Sequence, residues 1–359
     1  MLTGQNVLLT GGGSPIGQGL VPRILEQDPA VLRVFDSTES NLEDVMDRFD
    51  DDRLRHLLGR VRDVERLERA MEDIDVVIHT AGMRHADICE QNPFEAVQTN
   101  VFGLQNVVET AIEADVQHVV FTSNVDPADP AYTLGATELL GEKLITEANQ
   151  HDDNEGTQLV TVRLGQILYS SDSVISQFVE QIRNGGPVTL SREGISRFFY
   201  THTDVFELIS EAIRRGQGGE VFIYKMPAVW LEDLAEVLTD HLAHQFGYKP
   251  TDIDLTYSDK SSNERLNEVI ISEQEAARAY ENETLYVIPP EGSHLSTFEN
   301  QEEFSLLDDI PPSSEDVREV ERSELSDCVT DLRGSQKLLI MKPDDKMMNH
   351  NFRAAHGVE

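Results

Sequence analysis

The stretch "NVLLTGGGSPIGQGLVPRIL" (residues 6–25) restricts the fold more than any other part of the chain. A short apolar run ends in three successive glycines, and a helical pattern opens at Pro15. Glycines allow a tight turn and a close backbone approach at the N-terminus of the helix that follows. The next apolar run, "VLRVFD" (31–36), ends in an acid, Asp36. Strand, glycine turn, helix and acid-terminated strand together form the opening βαβ unit of a parallel sheet.

The turn carries the chemistry. Gly11, Gly13, Ser14, Pro15, Ile16 and Gly17 are expected to cradle a pyrophosphate on main-chain amides. Ser14 stands where the Gly-x-x-Gly-x-x-Gly spacing has its middle glycine, and Pro15 suits the first turn of a helix. Asp36 is placed to bond the adenosine ribose hydroxyls. The following "STESN" supplies no Arg or Lys for a 2′-phosphate, which favours NAD over NADP. A competing reading makes Asp36 a helix N-cap, since Asp36, Ser37, Thr38 and Ser40 are all capping types.

Further apolar runs follow at 54–59, 75–82, 117–124 and 158–165, and helical patterns lie between several of them, notably 94–114 and 135–149. Strands without polar alternation, separated by helices, predict an α/β fold with a doubly wound parallel sheet, Rossmann-like. After residue 166 the alternation loosens. Helices are expected within 173–190, 204–216, 231–247 and 272–281, and a strand at 220–224. The reading is a dinucleotide-binding domain over 1–168, with 195–228 returning to it. A smaller C-terminal substrate lobe takes 169–194 and 229–290. An acidic extension over 291–359 is partly helical near 313–326 and ends in a mobile tail.

The formal net charge is −37, with seven lysines against 22 arginines. The acid is spread along the whole chain, as on a solvated surface. Such a surface self-repels in dilute salt and is tolerated where salt screens it, so the composition points to a halophilic source. The same charge argues against nucleic acid and against an anionic membrane surface as partners. Two cysteines make no disulfide framework, and no Cys/His spacing suggests a metal site. The chain opens almost directly on a strand and has no apolar run of membrane-spanning length, so the expected location is cytoplasmic.

From "HTAGMRHADICEQNPFEAVQTNVFGLQNVVETA" (79–111) onward the chain resembles the extended short-chain dehydrogenase/reductases. Within them it is similar to the UDP-N-acetylglucosamine 4,6-dehydratase and nucleotide-sugar epimerase group of polysaccharide biosynthesis. "GATELLGEKL", "VRLGQILYSSDSVISQF" and "GPVTLSREGISRFFYTHTDVFELI" carry the likeness on, and it covers roughly residues 5–290. The resemblance implies a bound nicotinamide cofactor that oxidises C4 of a UDP-sugar. It also implies a homo-oligomer or a paired paralogue, with contacts through the long helices at 94–114 and 135–149. On the cofactor side it adds Asp63 and Val64 after the third strand, Thr80, Ala81 and Gly82 after the fourth, and Asn100. On the substrate side it adds Arg84, His85, Arg163 and Arg197.

The catalytic side departs from the pattern. Where the family reads Ser-Thr-Asp-Lys, this chain reads Thr122-Ser123-Asn124-Val125, and the family's Tyr (or Met) and Lys are Leu134 and Glu138. Farther on, the family's Arg-Pro-Gly-Glu-Lys reads Ser261-Ser262-Asn263-Glu264-Arg265. Thr122, Ser123, Glu138 and His85 remain as catalytic candidates. The alternative is a catalytically silent relative that binds NAD or a nucleotide sugar as a sensor or partner subunit.

Overall fold

A computed structural model describes residues 1–167, 173–258, 265–292, 303–308, 313–315 and 325. The chain divides into two compact units. The first holds 1–167, 197–227 and 267–317, and the second holds 168–196, 228–266 and 318–359.

The first unit is built on β1 (Asn6–Thr10), β2 (Val31–Asp36), β3 (Leu54–Leu58), β4 (Val76–His79), β5 (His118–Asn124) and β6 (Gln158–Leu164). Helices α1 (Pro15–Leu25), α2 (Glu39–Arg48) and α3 (Val64–Met71) link the first four strands. The chain from β4 to β5 runs through α4 (Ala86–Gln91), α5 (Pro93–Ala96) and α6 (Gly103–Glu113), and α7 (Thr133–Asn149) links β5 to β6. The spatial order β3-β2-β1-β4-β5-β6 is parallel throughout. It is the doubly wound arrangement expected from strands buried on both faces. Every residue of β4 is buried, as are six of the seven in β6.

Beyond β6, the chain passes through β7 (Gln166–Ile167), α8 (Val174–Arg183), β8 (Val188–Leu190), β9 (Ser196–Tyr200) and α9 (His202–Arg215). It then enters β10 (Val221–Tyr224), which extends the sheet parallel to β6. In the second unit β11 (Ala228–Trp230) leads into α10 (Leu231–Leu242), on which α8 packs, and β8 pairs parallel with β12 (Leu255–Tyr257). A cavity of about 310 Å³ there is lined by Val188, Ala235, Thr239, Ile253 and their neighbours.

Two expectations need correction. Residues 272–281 form one helical turn, α11 (Glu273–Ala276), and then a strand, β13 (Tyr280–Glu281). The segment 267–290, expected in the substrate lobe, lies in the first unit. Its β14 (Leu285–Ile288) pairs antiparallel with β10 and with β13, and β15 (Ser305–Leu306) pairs with β13. Helix-forming Ala and Glu dominate 272–281, yet burial of Tyr280, Leu285, Val287 and Ile288 against the sheet outweighs that local preference. The helix expected near 313–326 falls mostly outside the described residues. Among the described residues no helix is long and apolar enough to cross a membrane.

Candidate active site

In a doubly wound sheet the strand order reverses between β1 and β4, and ligands bind outside the carboxyl ends of the strands at that point. The glycine turn lies there. Gly11 has a φ of 67° and donates its N–H to Phe35 O at 2.7 Å. A β-carbon on Gly11 would stand 2.7 Å from the Ala81 backbone, so only glycine lets the β1 and β4 loops close on each other. Gly17 opens α1 against Gly11 and Gly12, where a β-carbon would meet Gly12 Cα at 2.5 Å. Ser14 is the N-cap of α1, and its hydroxyl accepts the Gly17 N–H at 3.2 Å. Pro15 and Ile16 form the first turn.

Asp36 is buried at the end of β2. One carboxylate oxygen accepts the Gly13 N–H at 3.0 Å, and the other accepts Thr38 N–H at 3.0 Å and the Asn41 amide at 3.2 Å. The N-cap of α2 is Thr38, so Asp36 is not the cap but a weld between β2 and the glycine turn. A carboxylate has about four acceptor positions, and three are engaged, which leaves capacity for a ribose hydroxyl. Asp63 caps α3 through the Arg66 N–H at 3.1 Å and is itself exposed, with Val64 beside it 43% exposed. The turn, the acid and this exposed edge fit the two ends of an adenosine diphosphate moiety.

Thr80, Ala81 and Gly82 follow β4. Thr80 N–H and its hydroxyl both donate to Thr10 O, at 3.1 and 2.8 Å, which joins the ends of β1 and β4. Asn100 lies in a π-helical turn, Val97–Phe102, between α5 and α6. Its amide accepts the Met83 N–H at 2.7 Å and donates to Met83 O at 3.0 Å and Thr137 Oγ1 at 3.1 Å. The extra residue in the turn aims this side chain at the 82–83 loop and ties it to α7, a common use of π-turns at functional sites.

Glu138 lies on α7 against the end of β5, and its carboxylate accepts the Asn124 N–H at 3.1 Å. The Asn124 side-chain oxygen accepts the Asp126 N–H at 2.8 Å. Asp126 packs its β-carbon over Gly135, where a side chain would come within 2.9 Å, one turn before Glu138. Two half-buried carboxylates therefore flank Asn124. Burial pushes the Glu138 carboxyl up to about 8, and Asp126 adds to the shift; Arg84 and the Asn124 N–H pull the other way. A carboxyl so poised takes up and releases a proton near neutrality.

The other candidates lie as follows. Leu134 is buried beside Cys89, Ala96 and Met83, so the position that is Tyr or Met in the family pattern is an apolar core position. Thr122 and Ser123 are adjacent on β5, and their side chains take opposite faces of the sheet, so the two hydroxyls do not serve one site together. The Thr122 hydroxyl donates to His79 O at 3.1 Å. Arg84 is exposed and reaches Thr80 O. His85 is exposed at the N-cap position of α4. Arg197 is buried 3.6 Å from Glu268, a carboxyl that burial pushes up to about 7.

Arg163 is a correction. It is fully buried on β6, and its five N–H donors are all engaged: two on Glu142 of α7, two on Glu275 of α11 and one on Ile270 O, at 2.6–3.2 Å. A guanidinium with five donors taken has none left for a substrate phosphate. Sequence reading missed Asp126, Glu142, Glu268 and Glu275. Their only local signal is an acidic side chain, which an acid-rich chain offers everywhere.

The cradle gives a direct expectation. Gly17→Ala places a methyl against backbone on two sides, where nothing yields cheaply. The affinity for a nicotinamide dinucleotide, read by calorimetry, is expected to fall by about tenfold or more, roughly one backbone hydrogen bond to a charged phosphate. Unchanged affinity would place the dinucleotide elsewhere.

Comparison with known proteins follows this geometry. The family described as "Polysaccharide biosynthesis protein" matches residues 7–290. An uncharacterized membrane protein of Methanocaldococcus jannaschii is 38% identical over 80% of this chain and 86% of its own. A UDP-N-acetylglucosamine 4,6-dehydratase (inverting) of Campylobacter jejuni is 31% identical over 85% of this chain and 88% of its own. Among solved structures, Pen from Bacillus thuringiensis superposes with a TM-score of 0.83 at 33% identity, covering 92% of this chain and 98% of that one.

Proposed function

Because the chain belongs to the polysaccharide biosynthesis protein family, within the extended short-chain dehydrogenase/reductases, we propose that it is an NAD-dependent UDP-sugar dehydratase or epimerase in which Glu138 is the proton-handling residue. The observation that carries the reading is the pairing of a glycine cradle and Asp36 with a carboxyl poised near neutrality, all on the carboxyl-end side of one sheet. Gly11, Gly13, Ile16, Gly17 and Asp36 would hold the dinucleotide, Asp63 and Val64 would flank the adenine, and the nicotinamide when bound supplies the hydride acceptor.

The residues of the chain do the rest. Glu138, as carboxylate, accepts the proton of the sugar C4 hydroxyl as that carbon is oxidised, and as acid returns it. Arg84 and the Asn124 N–H favour the ionised form, while burial and Asp126 favour the protonated one, so both forms are available near neutral pH. Asn100 and Thr137 fix the 82–83 loop against α7 and so fix the distance between cradle and carboxyl. Asp36, with no cationic neighbour in 37–41, selects NAD over NADP.

The test is incubation with UDP-N-acetylglucosamine and NAD at several KCl concentrations, with products read by mass and by proton NMR. Loss of one water marks a dehydratase; a new sugar stereochemistry at unchanged mass marks an epimerase. Tight binding of both ligands with neither product would remove the enzymatic reading and leave the silent one.

A further inference from the structure

His202, outside every site residue named so far, touches the helix that carries the cradle. It is the first residue of α9, whose start is fixed by a capping box: Thr201 N–H donates to the Asp204 carboxylate at 2.7 Å and Asp204 N–H to Thr201 Oγ1 at 3.2 Å. Helices α1 and α9 pack together, and Arg23 Nε on α1 donates to Thr203 Oγ1 at 3.3 Å. At this crossing the His202 ring occupies the space a side chain at position 19 would need, so Gly19 is the residue that admits it. The ring Nε2 lies 3.2 Å from the Pro15 carbonyl oxygen. Burial holds the imidazole below its ordinary value, the Pro15 carbonyl pulls it up, and Arg23 pushes it down. The neutral ring with Nε2–H donating to Pro15 O satisfies these contacts.

Pro15 O belongs to the same peptide group as Ile16 N–H. In the first turn of α1, Pro15 has no N–H and Ser14 Oγ takes that of Gly17. Gln18 N–H goes to Ser14 O at 2.8 Å. Ile16 therefore carries the first-turn amide for which the described residues supply no acceptor. A donor on a peptide carbonyl polarises the N–H of that peptide and strengthens the bond it makes. We infer that His202 is a positioning residue for the cofactor diphosphate, acting through the Pro15–Ile16 peptide that it holds and polarises. The inference rests on the reading that a dinucleotide occupies the cradle, and it assigns a role to the α1–α9 crossing that the cradle alone does not require.

The experiment uses the full chain with three variants: His202→Leu, which removes the donor; Gly19→Ala, which displaces the ring; and His202→Gln, which keeps a donor. Dissociation constants for NAD are read by calorimetry, and those for adenosine, which lacks phosphate, by ligand-observed NMR. His202→Leu and Gly19→Ala are expected to weaken NAD about fivefold to tenfold, the scale of one modest hydrogen bond, with adenosine unchanged and His202→Gln close to wild type. The inference is overturned by unchanged NAD affinity in His202→Leu. Equal weakening of NAD and adenosine, which means only a loosened helix, also overturns it, as does a Gln variant as weak as the Leu one. Wild-type protein that binds no NAD overturns the cofactor reading itself, and the inference falls with it; the wild-type titration separates the two failures.

Discussion

Glu138→Gln is expected to lower kcat by about two to four powers of ten while NAD binding stays within a few-fold of wild type. The amide keeps the shape and an acceptor for the Asn124 N–H, so the β5–α7 contact survives. What it lacks is an acceptor that becomes a proton carrier. The pH profile supplies the second half of the expectation. Burial and Asp126 raise Glu138 to about 8, and the base works ionised, so wild-type kcat rises as pH climbs through about 8 and levels above it. The variant should lose that limb and run flat at its residual rate. The same raised carboxyl contributes stability that is full below about 4.5 and is lost as pH rises through about 8, so activity and stability move in opposite directions across that interval. A Gln variant with wild-type kcat and an unchanged rising limb would assign the base elsewhere. Leu134 then enters as a constraint: its place is buried among Cys89, Ala96 and Met83, and its own side chain carries no proton to exchange.

Arg163→Met is expected to destabilise the protein by about 3–5 kcal/mol, because it leaves the Glu142 and Glu275 carboxylates buried without their cation. In a chain of this size that corresponds to a fall in Tm of about 4–7 °C, read by calorimetry or circular dichroism. Removing all three groups together, as Arg163→Met with Glu142→Leu and Glu275→Leu, should recover most of the loss, since an apolar replacement of a buried ion cluster is often near neutral. The pH dependence carries a sign. Arg163 and the Ser272 cap hold the Glu275 carboxyl down to about 2 against the burial that raises it. Its stabilisation is therefore present above about pH 4.5 and lost as pH falls toward 2. In Arg163→Met that support is gone, and the deficit should be largest near neutrality and shrink in acid, where the orphaned carboxyls are protonated. A single variant with unaltered Tm would mean that the cluster is dispensable for stability.

The parts of this molecule that are legible in the sequence are those whose causes are local. Glycines 11, 12, 13 and 17, Pro15 and Asp36 lie within one βαβ unit, and the apolar runs of β1 to β6 announce their own burial. The family resemblance places Arg163 on the substrate side, and nothing near it in sequence says otherwise. Its partners stand 21 and 112 positions away, and only the fold brings them together. Residues 272–281 misled for a related reason, since Ala and Glu favour a helix until Tyr280 and Leu285 are given a sheet to cover. Asp126 escaped notice among 66 acidic residues, where one more acid after a strand carries almost no information. The functional carboxyls of such a chain are recognised by what surrounds them.

The antiparallel strand Leu285–Ile288 covers the flank of Val221–Tyr224, and it is made late. During synthesis roughly 60 residues must follow Tyr224 out of the ribosome before that flank can be closed, which at about 5–20 residues per second is some 3–12 s. For that interval the nascent sheet presents an unpaired apolar border, a template for intermolecular pairing. Like charge on neighbouring nascent chains opposes that pairing to the extent that salt leaves it unscreened.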